Sequence, residues 1–305
     1  MLLLNRRPRR MLTPIWAAAL FLGVILALAG GRFLAMQEAR SLCPGQNLYA
    51  AIEAGACKDA KGKLNIANKL YPTWGAMAQG FHRNFIKPEK PRADAPQHVD
   101  PLRSAMGKAT IATLSRFIPG VLIAMTLAFV GAMLWAMSGH SRLAVGSFNV
   151  ALAYVPAIAL TPFFFSFPGN SFHVAMIAFA MTPVILRDLI LHLSNLPPSL
   201  LIKAQTLHAN TWTALLRVLA PQTLPRLIDA TRVSMGLGWI LVLAAEFVIA
   251  REGIGLRIWK LKRRYDVDNL LPIVIWVTVL AIAIDLILWA ARRGLFPWAR
   301  GGREG

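Results

Sequence analysis

The sequence predicts an all-α polytopic membrane protein of about six transmembrane helices, with an extended polar loop after the first. Three observations carry that prediction. Only 15% of the 305 residues are charged and 56% are hydrophobic, with a mean hydropathy of +0.52; a soluble domain has about 25% charged residues. Apolar runs without a charge recur, each long enough to cross a hydrocarbon core of about 30 Å. The basic residues gather in the flanks of those runs, where they anchor helices against anionic headgroups. That distribution makes the net charge of +19 a membrane feature and excludes nucleic acid as a partner.

The first span is expected at residues 11–31, which hold no charge, behind Arg6, Arg7, Arg9 and Arg10. Four arginines before a span keep the N-terminus in the cytoplasm. A signal peptide is the competing reading, because Ala27-Leu28-Ala29 has the small residues of a cleavage site. Residues 36–110 are polar and rich in Pro and Lys, so they form an external loop, with short helices expected at 50–56 and 73–85. Cys43 and Cys57 both lie there. In an oxidising compartment they are a candidate disulfide, and two unpaired thiols are the alternative. They make no metal site.

Residues 117–139 are the second predicted span, with Arg116 at its outer end. Ser138-Gly139-His140-Ser141-Arg142 is a tight cytoplasmic turn. Residues 143–186 carry no formal charge, too many for one helix, and Pro168-Gly169-Asn170 divides them by turn chemistry. Spans three and four are therefore expected at 143–165 and 172–192. Residues 193–228 are polar, basic and Pro-punctuated, hence cytoplasmic. Spans five (230–250) and six (270–291) follow, leaving both termini inside. Against the positive-inside bias, Arg251, Arg257, Lys260, Lys262, Arg263 and Arg264 fall on the side this topology places outside. The expected organisation is a tail and first span at 1–35, a loop at 36–110, a core at 111–292 and a tail at 293–305.

The loop at 193–228 holds the most informative residues. Asn195-Leu196-Pro197-Pro198-Ser199 reads as a turn and helix start, since Pro suits a first helical turn. Leu200 to Leu207 suits a helix, Ala209-Asn210-Thr211 a break, and Trp212 to Leu219 a second helix stopped at Pro221. Leu200, Leu201, Ala204 and Leu207 recur at helical spacing and make an apolar docking face. The result is a helix-turn-helix outside the bilayer, a rod able to carry a partner's movement into the attached spans.

The frame Ile202-Lys203-Ala204, three residues, His208, nine residues, Val218-Leu219-Ala220-Pro221 resembles the ATPase-coupling loop of permease subunits of binding-protein-dependent ABC importers. That family carries Glu where this chain has Ile202 and Gly where it has His208. The likeness is to the nitrate/sulfonate/taurine-type branch and covers about 112–300. It includes Leu196-Pro197-Pro198, Ala204 to Ala209, Arg217 to Pro221, Ala244-Ala245-Glu246, Gly253-Ile254-Gly255, Asp266-Val267-Asp268, Asp285 and the Arg292-Arg293 tail.

The resemblance implies a type I ABC importer permease fold in a bacterial inner membrane, and a coupling loop using Leu200, Leu201, Ile202, Lys203, Ala204, Leu207, His208, Ala209 and Pro221. It implies a cytoplasmic ABC ATPase, a periplasmic solute-binding protein and a second permease, identical or different. The family Gly accepts positive φ cheaply, and His does so at a cost. The changes at Ile202 and His208 motivate the alternative of a non-transporting scaffold or regulatory subunit.

Within the spans, Glu246 and Asp285 are the ionisable residues that cost most in lipid, so they are candidates for lining a path or bracing helices. Gly236 and Gly238 permit close helix approach. Asp285 is expected to brace helices, partnered by an Arg of the tail or a loop, and Arg232 to sit at the interface. No phosphate-binding Gly-x-x-x-x-Gly-Lys-Ser/Thr is present, nor any Gly-x-Ser-x-Gly or His-Glu-x-x-His. The chain is therefore expected to be no enzyme and to bind no cofactor or metal, with ATP and Mg held by the partner ATPase.

Overall fold

The computed structural model of the chain describes residues 74–85, 105–250, 252–263 and 267–300. Among these every regular element is a helix. The first predicted span, the helix at 50–56, Cys43 and Cys57 lie outside the described residues. Among the described residues, those within 84–260 and 273–300 belong to one compact unit, and those within 74–83 and 261–272 to another. Helix α1 (Trp74–Phe85) lies close to the expected bounds.

Helix α2 runs Ala105–Met137, twelve residues earlier than the predicted span. Arg116 is thus inside a helix about 50 Å long rather than at its outer end. Pro119 interrupts it little, because Thr, Ser and neighbouring helices can take up freed backbone groups in a membrane helix. Ser138 caps the next helix, α3 (Gly139–Ala153): its hydroxyl accepts from the Ser141 N–H, and Ser141 reciprocates to the Ser138 N–H. The tight turn expected there is a one-residue break closed by a capping box.

Residues 143–165 do not form one continuous helix. α3 ends at Ala153, turns occupy 154–160, and a single helical turn, α4 (Thr161–Phe164), follows. Pro156 is the cause, since it offers no N–H and biases Val155 away from helical geometry. Irregular backbone at membrane depth is tolerated only against protein or water, and Tyr154, Ile158 and Phe163 are all exposed on this chain.

Helix α5 (Ser171–Ser194) matches the fourth predicted span and forms the centre of the bundle. Its Met176, Ile177, Met181, Ile185 and Leu189 are fully buried. They meet Phe117, Val121, Ala124, Ala128 and Ala132 of α2, where alanines at four-residue spacing let the two helices approach. A Cβ on Gly120 would lie 2.8 Å from Ile177 Cβ, and one on Gly131 would lie 3.0 Å from Leu186.

After the short helix α6 (Pro198–Thr206), the chain turns into α7 (Thr211–Ala214), a π-helical stretch (Leu215–Leu219) and α8 (Ala220–Ile249). These last three form one unbroken rod over Thr211–Ile249. The expected stop at Pro221 does not occur. The i→i+5 register widens the helix just before Pro221, whose ring would otherwise press on the Arg217 carbonyl. Helix α9 (Ile254–Arg263) and helix α10 (Val267–Leu295) complete the chain, with a 3₁₀ turn at Pro297–Arg300. Among the described residues, four helices are long and apolar enough to cross a membrane, over 106–137, 171–194, 211–249 and 269–295.

Candidate functional site

The segment 195–221 is built by two local devices. Helix α6 has Pro198 in its first turn and ends at Thr206. Beyond it, the Ala209 N–H donates to the Ala204 carbonyl (3.0 Å) and the His208 N–H to the Gln205 carbonyl (2.9 Å). This 6→1 and 5→2 pair is a Schellman motif, which places the residue between in left-handed geometry. That residue is His208, with φ of 56°, the one non-glycine residue at positive φ among those described. Asn210 then caps α7, its Oδ1 accepting from the Thr213 N–H at 2.7 Å. The bend that the resembling family makes with Gly is made here with His.

Left-handed geometry costs a non-glycine residue about 1–2 kcal/mol. His208→Gly is therefore expected to stabilise the chain by about 1 kcal/mol, and His208→Val to destabilise it. Chemical unfolding of the purified variants in micelles checks the order; a His208→Gly protein less stable than the parent contradicts it.

The apolar residues of the segment divide between two faces, unlike the single docking face expected. Ala204 is buried, and Leu201 and Leu196 pack on the main core, as do Leu215 and Leu219 of the following rod. Leu200 is half-buried. Ile202, Leu207, Trp212 and Leu216 point away, with Leu207 82% exposed and Trp212 59% exposed. Lys203, His208 and Arg217 are exposed among them, and Ala209 lines a cavity of about 250 Å³ under α6 with Arg142, Leu201 and Gln205. The reason is geometric: α6 lies against its own bundle, so its Leu201 and Ala204 side serves as an anchor and the opposite side is exposed.

Among the described residues, Glu246, Asp188, Asp285 and Asp229 each meet an arginine. Glu246 is 0% exposed. Its Oε1 accepts from Arg116 Nη1 (2.8 Å) and Thr113 Oγ1 (2.9 Å), and its Oε2 from the Gly255 N–H (2.8 Å). Thr113 Oγ1 also accepts from the Ile254 N–H (2.9 Å), and Arg116 Nη1 donates to the Glu252 carbonyl (2.7 Å). Both carboxylate oxygens are satisfied, as a charge in low dielectric requires. The cluster joins α2, α8 and the start of α9. Glu246 is enclosed by protein on every side.

Helix α8 shows Arg226, Asp229 and Arg232 at three-residue spacing, which puts them on one side. Arg226 chelates Asp188 of α5 through Nε (2.7 Å) and Nη2 (2.6 Å). Arg232 chelates Asp285 of α10 through Nε and Nη2, both at 2.7 Å, and Arg292 of α10 lies 3.0 Å from Asp229. Asp285 thus braces a helix through an arginine of span five, and not of the tail or a loop. Gly236 and Gly238 fall on different sides: nothing lies near a Cβ on Gly236, whereas one on Gly238 would meet Met181 Sδ at 2.8 Å and Phe117 at 3.0 Å.

Arg116, Thr113 and His173 escape a reading by sequence. Arg116 stands at the edge of an apolar run and looks interfacial. Thr113 and His173 have no partner nearby in the chain, since their neighbours lie 133 positions away or across a cavity. The nearest available signal is Glu246 itself, a lone acid that needs a cation from elsewhere.

A bundle of long apolar helices with an exposed two-helix element between its fourth and fifth predicted spans defines a multi-pass membrane protein of the transporter-permease class. Residues 109–301 match the family of the binding-protein-dependent transport system inner membrane component, and the chain belongs to it. Its relatives include a probable ABC transporter permease protein of Brucella melitensis, 30% identical over 100 residues, which are 33% of this chain and 41% of that protein. The taurine transport system permease protein of Escherichia coli is 30% identical over 31% of this chain and 34% of its own length. The bicarbonate transport system permease protein of Synechococcus elongatus is 26% identical over 60% of this chain and 67% of its own. The match thus spans well under half the length of the first two. Among solved structures, an inward-facing MetNI methionine ABC transporter chain aligns with a TM-score of 0.56 at 17% identity, covering 65% of this chain and 99% of that one. That likeness shows the type I permease fold.

Proposed function

We propose that this chain is the permease subunit of an ATP-driven importer that moves a small polar, anionic solute by alternating access. One observation carries the reading: the α6–α7 element presents Ile202, Leu207, Trp212 and Leu216 outward while α7 continues without a break into α8. A push on that element from outside the bundle is transmitted along a single rod of Thr211–Ile249 to the buried Glu246 cluster. The partner that pushes is a cytoplasmic ABC ATPase, which holds the ATP and Mg; this chain supplies no catalytic group. A periplasmic binding protein delivers the solute, and a second permease covers the exposed irregular backbone at 154–160. In this reading both termini are cytoplasmic, 36–110 is a periplasmic insertion and 111–292 is the permease core. The anionic class follows relatives named for taurine, bicarbonate and nitrate transport.

The scaffold alternative loses part of its motive, because His208 keeps the bend that the altered residue put in doubt. The test is capture of the ATPase by Leu207→Asp and Trp212→Asp, two exposed positions whose change leaves the core intact. Co-purification is expected to fall at least about tenfold, the worth of one buried apolar anchor at an interface. Undiminished capture, with unchanged ATP hydrolysis, would sink the docking face.

A further inference from the structure

At the end of α5 remote from α6, about 36 Å away along the helix, lies a cavity of about 510 Å³. It is lined by the polar Arg116, Asn170 and His173 and by the aromatic Phe165, Phe167 and Phe172. His173 is 3% exposed, and both its ring nitrogens are buried without a hydrogen-bond partner. Leaving a buried donor and acceptor unpaired is costly, so such groups in native proteins have a partner or a use. Asn170 stands at the N-cap of α5 but does not cap it: its Oδ1 accepts from Arg116 Nε (2.9 Å), and no side chain closes the helix terminus. The first turn of this 24-residue helix lies at the cavity, and since its Ser171, His173 and Val174 N–H groups already donate to the Pro168 and Asn170 carbonyls, it offers the site its partial positive charge. Arg116 is itself 6% exposed and turned to this place by three bonds, with Nη2 outside all of them.

We infer that this cavity is a binding site for a small organic oxyanion, a carboxylate or sulfonate with a short apolar body. The oxyanion accepts from His173 and from Arg116 Nη2, beside the partial positive charge of the α5 N-terminus, while the body lies on the Phe165, Phe167 and Phe172 rings. The Glu246 carboxylate already balances the single charge of Arg116, so the site holds a monoanion by hydrogen bonds and loosely, as a waypoint in transport must. The inference rests on the permease reading above and adds to it where, and by which side chains, the solute is held.

The test is equilibrium binding of radiolabelled ethanesulfonate to the purified full chain in lipid nanodiscs. Saturable binding is expected, displaced by propionate and not by the neutral ethyl methyl sulfone. His173→Leu and the cavity-filling Ala250→Phe are each expected to weaken it at least about tenfold, the loss of a hydrogen bond to a charged group or of the space itself. His173→Gln, which keeps a donor and an acceptor, should weaken it less and serves if the leucine variant misfolds. Equal displacement by the sulfone, unchanged affinity in both His173→Leu and Ala250→Phe, or no saturable binding would overturn the site; so would binding of nitrate alone, since that ignores the aromatic wall. An ATPase that still co-purifies with a chain that binds no oxyanion would separate failure of this site from failure of the permease reading.

Discussion

Glu246→Leu is expected to destabilise the protein by about 3–5 kcal/mol, the range for removing one member of a buried ion pair. The loss exceeds that of one contact because the carboxylate is the hub of the cluster. Arg116 Nη1, Thr113 Oγ1 and the Gly255 N–H all donate to it. Without it, a guanidinium that is 6% exposed is left charged between apolar helices. The double variant Arg116→Met with Glu246→Leu is expected to be more stable than Glu246→Leu alone, since no charge remains to desolvate. Unfolding midpoints of the single and double variants in one detergent measure the coupling. A Glu246→Leu protein within about 1 kcal/mol of the parent would show that the pair contributes no more than an exposed one.

Gly253→Ala is the second large effect, and it acts on the same cluster from the side of the backbone. Gly253 has φ of 145°, a conformation that L residues rarely adopt, and a Cβ there would fall on the Glu246 carboxylate. Strain of this kind costs about 1–3 kcal/mol by itself, and displacement of the carboxylate adds loss of the ion pair. Gly255→Ala is expected to be nearly as damaging, because its Cβ would lie 2.6 Å from the Leu243 carbonyl and 2.8 Å from Glu246 Cβ. Both variants should unfold well below the parent in a thermal scan, whereas Gly236→Ala, with open space around it, should not. A Gly253→Ala protein as stable as Gly236→Ala would be fatal to the account of why these glycines stand where they do.

The two predictions share one physical origin. The motif Gly253-Ile254-Gly255 and the acid at 246 are seven to nine positions apart in the chain, and the structure makes them one object. The Gly255 N–H and the Ile254 N–H are donors at the start of α9, and they point at Glu246 Oε2 and Thr113 Oγ1. Side chains at 253 and 255 would fill the space the carboxylate needs. Two small residues bracketing a buried acid are therefore a clearance requirement, and not a flexible hinge. The same logic explains why Arg116 is tolerated in a membrane helix: its Nε and Nη1 both end on acceptors.

The apolar runs, their lengths and the polar breaks at 138–142, 166–171 and 193–228 are local properties, so the helical class, the spans at 172–192, 230–250 and 270–291, and the exposed element between α5 and α8 were legible in the residues themselves. The bend at His208 was legible only through the resemblance, from the Gly that the family carries there; the Schellman bonds decide its positive φ. Three things were decided only by the packed bundle. Pro221 fails to end its helix because a π turn before it relieves the clash, and helix register answers to the core around Leu215 and Leu219. The apolar side marked by sequence periodicity proved to be covered by the chain's own bundle, because α6 rests on it, and periodicity does not say what covers such a side. The partners of Glu246 and Asp285 are arginines 130 and 53 positions away. Hydropathy reports what each residue costs in lipid, while which charge offsets it depends on which helices become neighbours.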